Sequence, residues 1–431
     1  MTADEKAEVD RLVSGRGAGP YRWVVLGVGA LGAGAFAALR MGLPSLGPAI
    51  RDTYGLSLAQ IGFAFTALAV GTMVTLLLWG MLTDRIGERP VMAAGLFGAA
   101  LALVGAGAAT GFASFLLALF AAGAMGASAT GASGRAIMGW FGWRERGFAL
   151  GIRQMALPLG GGLGSLTLPA LAAGVGGLRL AFFALAGLMV GAALLCLAFM
   201  REAPERPQVL PPAASPTPPM RDRRLWRLGA GSALLVFAQS AMLGFLVLFL
   251  HDQHGVPAET AALALAAVLL VGAAGRVRAG RVSDRQARRI APMRRRALAS
   301  GSLLVALAAL TGAPDAVVVP LAIAAGIATM TWNGLAFTAA AEISGRARAG
   351  TAMSMQNTIV AVGGAVSPAA FGALVEAAGW APAYLALAAG PLLAFVVLAP
   401  LVGDEDERVA RRAARLRRSA SLQSNEPVPT T

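Results

Sequence analysis

Long apolar runs separated by short charged connections recur from Trp23 to Val402, and they leave few folds open to this chain. A helix crossing a hydrocarbon core of ~30 Å needs about 20 apolar residues, and backbone that crosses it must satisfy its own hydrogen bonds. Helical spans are expected at about 23–50, 58–82, 91–109, 112–138, 147–172 and 178–200. A second set is expected at about 225–250, 258–279, 297–310, 317–343, 351–377 and 382–402. Charged residues make up 13% of the chain and mean hydropathy is +0.67, whereas soluble domains average roughly 25% charged residues. The reading is an all-α membrane protein of twelve transmembrane helices.

Residues 1–22 contain Asp4, Glu5, Lys6, Glu8, Asp10 and Arg11, which is not the pattern of a signal peptide. Residues 201–224 are rich in proline and arginine and cannot pack a core, so they read as a linker between bundles over 23–200 and 225–402. Residues 403–431 form a basic tail, where Asp404 to Glu407 precede Arg408, Arg411, Arg412, Arg415, Arg417 and Arg418. A solvated or lipid-touching helix is expected there. The net charge of +14 rests on arginines in the connections, because Lys6 is the only lysine. Such crowding follows membrane topology, and no nucleic-acid partner is expected. One set of connections holds Arg85, Arg89, Arg144, Arg146, Arg201, Arg206, Arg221, Arg223, Arg224, Arg281, Arg285, Arg288, Arg289, Arg294 to Arg296, Arg346 and Arg348. The opposite set holds only Arg51 and Arg179. The arginine-rich side is therefore expected to be cytoplasmic, with both termini on it.

The connection Gly80-Met-Leu-Thr-Asp-Arg-Ile-Gly-Glu-Arg-Pro90 has an echo 200 residues later in Gly280-Arg-Val-Ser-Asp-Arg285. Gly126 with Gly326 and Gly134 with Gly334 repeat at the same offset, which favours two parallel six-helix repeats. The connection resembles the loop between the second and third helices of the major facilitator superfamily, Gly-x-Leu-Ala-Asp-Arg-x-Gly-Arg-Lys. Gly80, Leu82, Asp84, Arg85, Gly87 and Arg89 fit that pattern, Gly280, Asp284 and Arg285 repeat it, and Glu88 puts an acid where the family has a base. The resemblance implies two pseudo-symmetric bundles around a cavity lined by the first, fourth, seventh and tenth helices, working by alternating access. It also implies that Asp84 meets the start of the eleventh helix near Gly350 and Thr351, and Asp284 the fifth near Gly147. An aspartate at a helix N-terminus gains ~0.3–1 kcal/mol, so such contacts would hold one face closed. A tight turn that merely obeys charge topology is the plainer alternative. The run Trp140 to Pro169 is similar to bacterial members that import small anions, such as the cyanate permeases. Pro158, Gly161 and Gly162 match the antiporter signature of the fifth helix, but Leu157 and Arg153 stand where that signature has glycine.

An arginine at the centre of a span costs at least ~2.5–3.5 kcal/mol, which marks it as a functional candidate. Arg40 lies in the outer half of the first span, Arg153 stands beside Gln154 in the fifth, and Arg276 precedes Gly280 by one turn where the first half has Leu76. Snorkelling to the nearest surface is the plainer reading of Arg40 and Arg276. Gln356 and Asn357 occupy in the eleventh span the place of Arg153 and Gln154 in the fifth. Gln239, Trp332 and Asn333, near the middle of the seventh and tenth spans, suit a polar cavity or an interhelical hydrogen bond. Arg135 reads as interfacial, and His251 and His254 as solvated loop residues.

No Asp or Glu occupies the central turns of a span. Fixed arginines without central acids favour an anionic ligand. The expected function is secondary transport of a small, carboxylate-type solute by a monomer in the bilayer. No cofactor is expected, and proton coupling would run through the substrate's own acid group. A drug or metabolite efflux antiporter is the alternative within transport. A membrane sensor or lipid-modifying enzyme is the alternative outside it, and each lacks the soluble domain or interfacial acids it would need. No catalytic or metal-binding pattern appears; Gly160-Gly-Gly-Leu-Gly164 lacks the Lys-Ser/Thr of a phosphate loop.

Overall fold

The computed structural model describes residues 19–141, 145–203, 218–345, 348–408 and 410, and every regular element among them is helical. Eleven of these helices are long and apolar enough to cross a membrane. The twelfth, Ile290–Ala309, packs among them as the ninth span although it carries Arg294, Arg295 and Arg296. Packing follows the internal repeat. In the first half the first span packs on the fourth, fifth and sixth, the second on the fourth, and the third on the fourth and sixth. In the second half the seventh packs on the eleventh and twelfth, the eighth on the tenth, and the ninth on the tenth and twelfth. The halves meet mainly where the second span touches the eleventh and the fifth touches the eighth.

Small residues set how closely the helices approach. A Cβ on Gly71 would lie 2.1 Å from the carbonyl oxygen of Phe120, and one on Gly123 would lie 2.1 Å from that of Leu68. The second and fourth spans therefore touch backbone to backbone. Ser57 opens the second span, Leu58–Ile86, with the expected reciprocal cap: its hydroxyl accepts from Gln60 N–H at 3.3 Å and the Gln60 side chain accepts from Ser57 N–H at 2.9 Å.

Several boundaries differ from the sequence expectation, each for a physical reason. The first span continues beyond 50 as Tyr21–Gly42, a tight turn at Leu43–Leu46, and Gly47–Tyr54. Pro44 and Pro48 lack the N–H groups a straight helix would use there. The seventh span begins at Arg223, inside the expected linker, because Asp222 caps it by accepting from Arg224 N–H at 2.9 Å. Burial pushes the Asp222 carboxyl up, but hydrogen bonds from Arg224 outweigh it and hold the group below the usual carboxylate range. His254 is not solvated: its ring is 5% exposed, lies 2.8 Å from Asp315 and packs edge-on against Phe249.

The ninth span starts at Ile290 rather than 297, so Arg294 to Arg296 lie on a helix and not in a loop. The cause is Glu405, placed by sequence in a solvated tail but only 1% exposed here. Its carboxylate accepts from Arg289 N–H, from Ile290 N–H at 2.8 Å and from Ala291 N–H at 3.1 Å. A helix over 400–408 carries it, so the boundary drawn at 403 falls within that helix. Arg411 to Arg418 lie outside the described residues. Glu405→Ala should leave these N–H groups unpaired and lower stability by ~2–3 kcal/mol, with Glu405→Gln recovering part of it. An unchanged thermal midpoint in detergent would refute the cap.

The tenth span is broken into Asp315–Met330 and Asn333–Ser344. In a continuous helix the Met330 carbonyl would accept from Gly334 N–H; here it accepts from Arg276 Nε at 2.7 Å. The arginine thus takes over a ladder bond, which lets the chain turn at Thr331 and Trp332 without an orphan carbonyl in the membrane.

Candidate functional site

The two ends of the molecule differ. At the arginine-poor end the halves are locked together. Arg51 of the first span pairs with Asp252 of the seventh. Glu376 of the eleventh accepts from Ala59 N–H at 3.0 Å, at the start of the second, and Thr66 accepts from Ala369 N–H at 3.2 Å. A Cβ on Gly62 would lie 2.4 Å from the Pro368 carbonyl oxygen, so the second and eleventh spans meet backbone to backbone. Phe65 stacks edge-on to Phe245 across the same seam, with centroids 6.0 Å apart.

Towards the arginine-rich end the seams part. Leu77, Leu78, Met81 and Leu82 on the second span are exposed, as are Met353, Ser354, Asn357 and Thr358 on the eleventh. The fifth and eighth spans touch where a Cβ on Gly161 would lie 3.3 Å from Leu269 and one on Gly162 would lie 2.9 Å from Leu270. Beyond that level they border a cavity of about 700 Å³ lined by Met155, Ala274, Val277 and the arginines of the eighth span. The structure is closed at one end and open at the other.

Arg40 stands where this closure begins. It is exposed and has no hydrogen bond or ion pair among the described residues. Its neighbour Met41 meets Gly161, at 2.5 Å from the Cβ that glycine lacks, which puts Arg40 at the level where the fifth and eighth spans come together. Ala33, Phe36 and Ala37 share its helical face and are buried, Phe36 against Gly126 of the fourth span. Packing therefore orients the face that carries Arg40.

The other arginines are occupied. Arg153, 7% exposed, donates from Nε to Ser133 Oγ at 2.8 Å and from a terminal nitrogen to the Thr130 carbonyl at 2.5 Å, both on the fourth span. Gln356, its counterpart, donates to Ser232 Oγ of the seventh span at 2.5 Å. Each polar pair thus has one buried member tied within its own half. The other member, Gln154 or Asn357, is exposed and has no partner among the described residues. Gln154 shares the face of Gly161, and Asn357 that of Gly364, which meets Ser240 of the seventh span. Asn333 donates to Gln239 at 3.0 Å, an interhelical bond between the tenth and seventh spans. Trp332 does not line the open space. It is 1% exposed and packs among Val236, Leu335 and Ile343.

The doubled connections point inward to their own halves. Asp84 lies 3.3 Å from Arg135, which also reaches the Thr83 carbonyl and lies 3.5 Å from Glu88. Arg135 is therefore an organiser of the loop, and Glu88, buried, is its partner acid. Gly87 has φ +91° and a Cβ there would collide with Glu202, so only glycine fits. Asp284 lies 2.6 Å from Arg289, which also holds Glu342 at 2.9 Å. Arg85, Arg89 and Arg285 are exposed, and Gly80 and Gly280 face open space. Contacts from Asp84 to the eleventh helix and from Asp284 to the fifth are not made among the described residues, as expected where this end is open.

Sequence reasoning missed the closed end. Arg51 and Asp252 were visible only as loop charges, and nothing in the spacing of Gly62 and Pro368 relates them. Glu376, near the end of an apolar span, carried the one legible signal: an acid placed to face a capped helix start.

The chain matches the sequence profile of the Major Facilitator Superfamily over residues 24–368. An uncharacterised transporter of this type from Mycobacterium tuberculosis, Rv2994, is 33% identical over 414 residues, covering 92% of this chain and 89% of that protein. A probable sulfoacetate transporter of Cupriavidus necator, SauU, is 29% identical over 373 residues, covering 79% of this chain and 84% of the other. Among solved structures, an inward-facing, occupied bacterial homologue of the human lysosomal transporter Spinster aligns over 95% of this chain and 99% of its own. Its TM-score is 0.73 at 19% identity. The nucleoside transporter NupG aligns over 88% of this chain and 99% of its own, with TM-score 0.70 at 15% identity.

Proposed function

Because this chain belongs to the Major Facilitator Superfamily and has its fold, we propose that it carries a small carboxylate- or sulfonate-type anion by alternating access. It is a multi-pass membrane transporter rather than an enzyme. The observation that carries the anion reading is Arg40, an exposed guanidinium within the first span that has no acid partner among the described residues. A bare guanidinium in low dielectric is stabilised by an anion that offers two oxygens to its fork. Gln154 and Asn357, exposed on the fifth and eleventh spans, supply neutral hydrogen bonds from either half. The relative named for sulfoacetate, a molecule with both a sulfonate and a carboxylate, supports the same chemistry. Taking the arginine-rich face as cytoplasmic, the structure is inward-facing.

A thermal-shift screen of the purified protein tests the substrate class. A ligand at 100 times its dissociation constant stabilises by ~2.7 kcal/mol. Sulfoacetate, other sulfonates, and mono- and dicarboxylates should raise the midpoint. Stabilisation by lipophilic cations alone would overturn the anion reading in favour of efflux.

A further inference from the structure

A second cluster of guanidiniums lies away from Arg40, at the arginine-rich rim of the second half. A cavity of about 440 Å³ is bounded by Arg278 and Gln286 of the eighth span, Arg295 and Arg296 of the ninth, and Thr331 at the break in the tenth. No carboxylate lines it. Among the described residues Arg295 donates only to Gln286, at 3.3 Å. The Nε of Arg296 is buried without a partner, and Arg278 and Arg295 are close enough to repel its charge. The nearby acids are engaged elsewhere: Asp284 and Glu342 with Arg289, Glu405 with the start of the ninth span, and Asp406 with Arg288 at 2.8 Å. Three like charges are thus held together with no counter-charge among the described residues.

Arg278 also borders the adjoining cavity of about 700 Å³, where Arg281 and Arg285 continue the stripe at helical spacing. The remaining wall there is apolar: Met155, Ala274, Val277 and Val282. Charge at one end and aliphatic surface at the other make the pair of cavities amphipathic. The fold does not require this. At the equivalent positions of the first half, 200 residues earlier, Leu78 and Met81 stand in place of Arg278 and Arg281, and both are exposed.

We propose that this groove binds the phosphodiester headgroup of an anionic phospholipid, with Arg278, Arg295 and Arg296 on the phosphate and the acyl chains along Val277 and Val282. Guanidiniums match phosphate oxygens two at a time, and basic pockets between membrane helices suit anionic headgroups. A soluble anion would satisfy the charges but leave the aliphatic wall bare, which is why the lipid is the better occupant. The headgroup site uses Arg278, Arg295 and Arg296, none of which the proposed function assigns to the solute, although its apolar wall borders the opening between the fifth and eighth spans.

The test uses the full chain, delipidated in detergent, with binding read by native mass spectrometry and by thermal shift. Phosphatidylglycerol should bind and stabilise the wild type, whereas phosphatidylcholine and inorganic phosphate at matched concentration should not. The triple variant R278Q/R295Q/R296Q should lose affinity for phosphatidylglycerol on the order of 100-fold. A charge-matched variant, R221Q/R223Q/R227Q, removes three exposed arginines from the same face outside the groove and should bind as the wild type does. The proposal is overturned if both variants lose affinity equally, since binding would then be general charge attraction. It is overturned too if inorganic phosphate stabilises as well as the lipid, or if the groove variant keeps its affinity. Should the triple variant not fold, R295Q alone, at an exposed position, should still show weaker lipid binding with an unchanged response to phosphatidylcholine.

Discussion

Arg40→Gln should weaken binding of the transported anion by ~2–5 kcal/mol, which is roughly 30-fold to several thousand-fold. The site explains the size. On the proposed function the anion and the guanidinium neutralise one another in the wild type, and in the variant the anion enters unpaired. Arg40→Lys is the sharper version. It keeps the charge but replaces a planar fork with a point charge on a flexible stem, so affinity should fall although net charge does not. The comparison arginines are Arg153 and Arg276, whose guanidiniums are bonded to the fourth and tenth spans. Their glutamine variants should lower thermal stability by ~1–3 kcal/mol through the lost bonds and leave the dissociation constant near wild type. The measurement is equilibrium binding and proteoliposome uptake for all six lysine and glutamine variants, each first checked for folding. Wild-type affinity in both Arg40 variants would remove the anion from this site.

Gly62→Leu should abolish most transport by a different route. A Cβ at this position falls 2.4 Å from the Pro368 carbonyl oxygen and 2.9 Å from the Ala369 Cα, both backbone atoms that cannot rotate aside. The second and eleventh spans would be forced apart at the arginine-poor end. Overpacking of this kind costs ~1–3 kcal/mol, enough to shift a two-state population by roughly 5- to 150-fold towards the state open at that end. Spin labels at Asp52 and Ala378, introduced as cysteines in a Cys196→Ser background, would report the separation directly. Uptake should fall while binding of the anion from the arginine-poor side persists. Unchanged label distances together with normal uptake would show that the seam is not a gate.

The architecture was largely legible because membrane burial writes itself into composition. Runs of apolar residues, the doubled Asp-Arg connections and the arginine asymmetry follow from physical rules that act on short stretches. Two of the misplaced boundaries depend on a partner remote in sequence. Glu405 starts the ninth span from more than a hundred positions away, and Arg276 breaks the tenth by taking the Met330 carbonyl. The candidate site was half legible. Arg40 was visible as a charge in an apolar run, and its freedom from partners was not, because Arg153 and Arg276 look identical to it in sequence. Only packing separates a guanidinium held by neighbouring carbonyls and hydroxyls from one left open.

The bonds of Arg153 and Arg276 bear on how fast such a molecule can cycle. Arg153 is tied to the fourth span and Arg276 to the tenth, each within its own half. If the halves rock as bodies, as the proposed function has it, neither guanidinium is stripped of its partners in hydrocarbon, where the loss would be most severe. The polar links that such rocking would break are the uncharged hydrogen bond from Ala369 N–H to Thr66, and Arg51 to Asp252 and Glu376 to Ala59, and these last two lie at the aqueous edge. Water replaces a partner there at small net cost. On that reading the activation barrier for reorientation rests on side-chain packing along the seams and not on buried charge. An ion pair moved from the rim to the middle of a seam should therefore slow turnover in proteoliposomes, because opening would then expose its partners away from water.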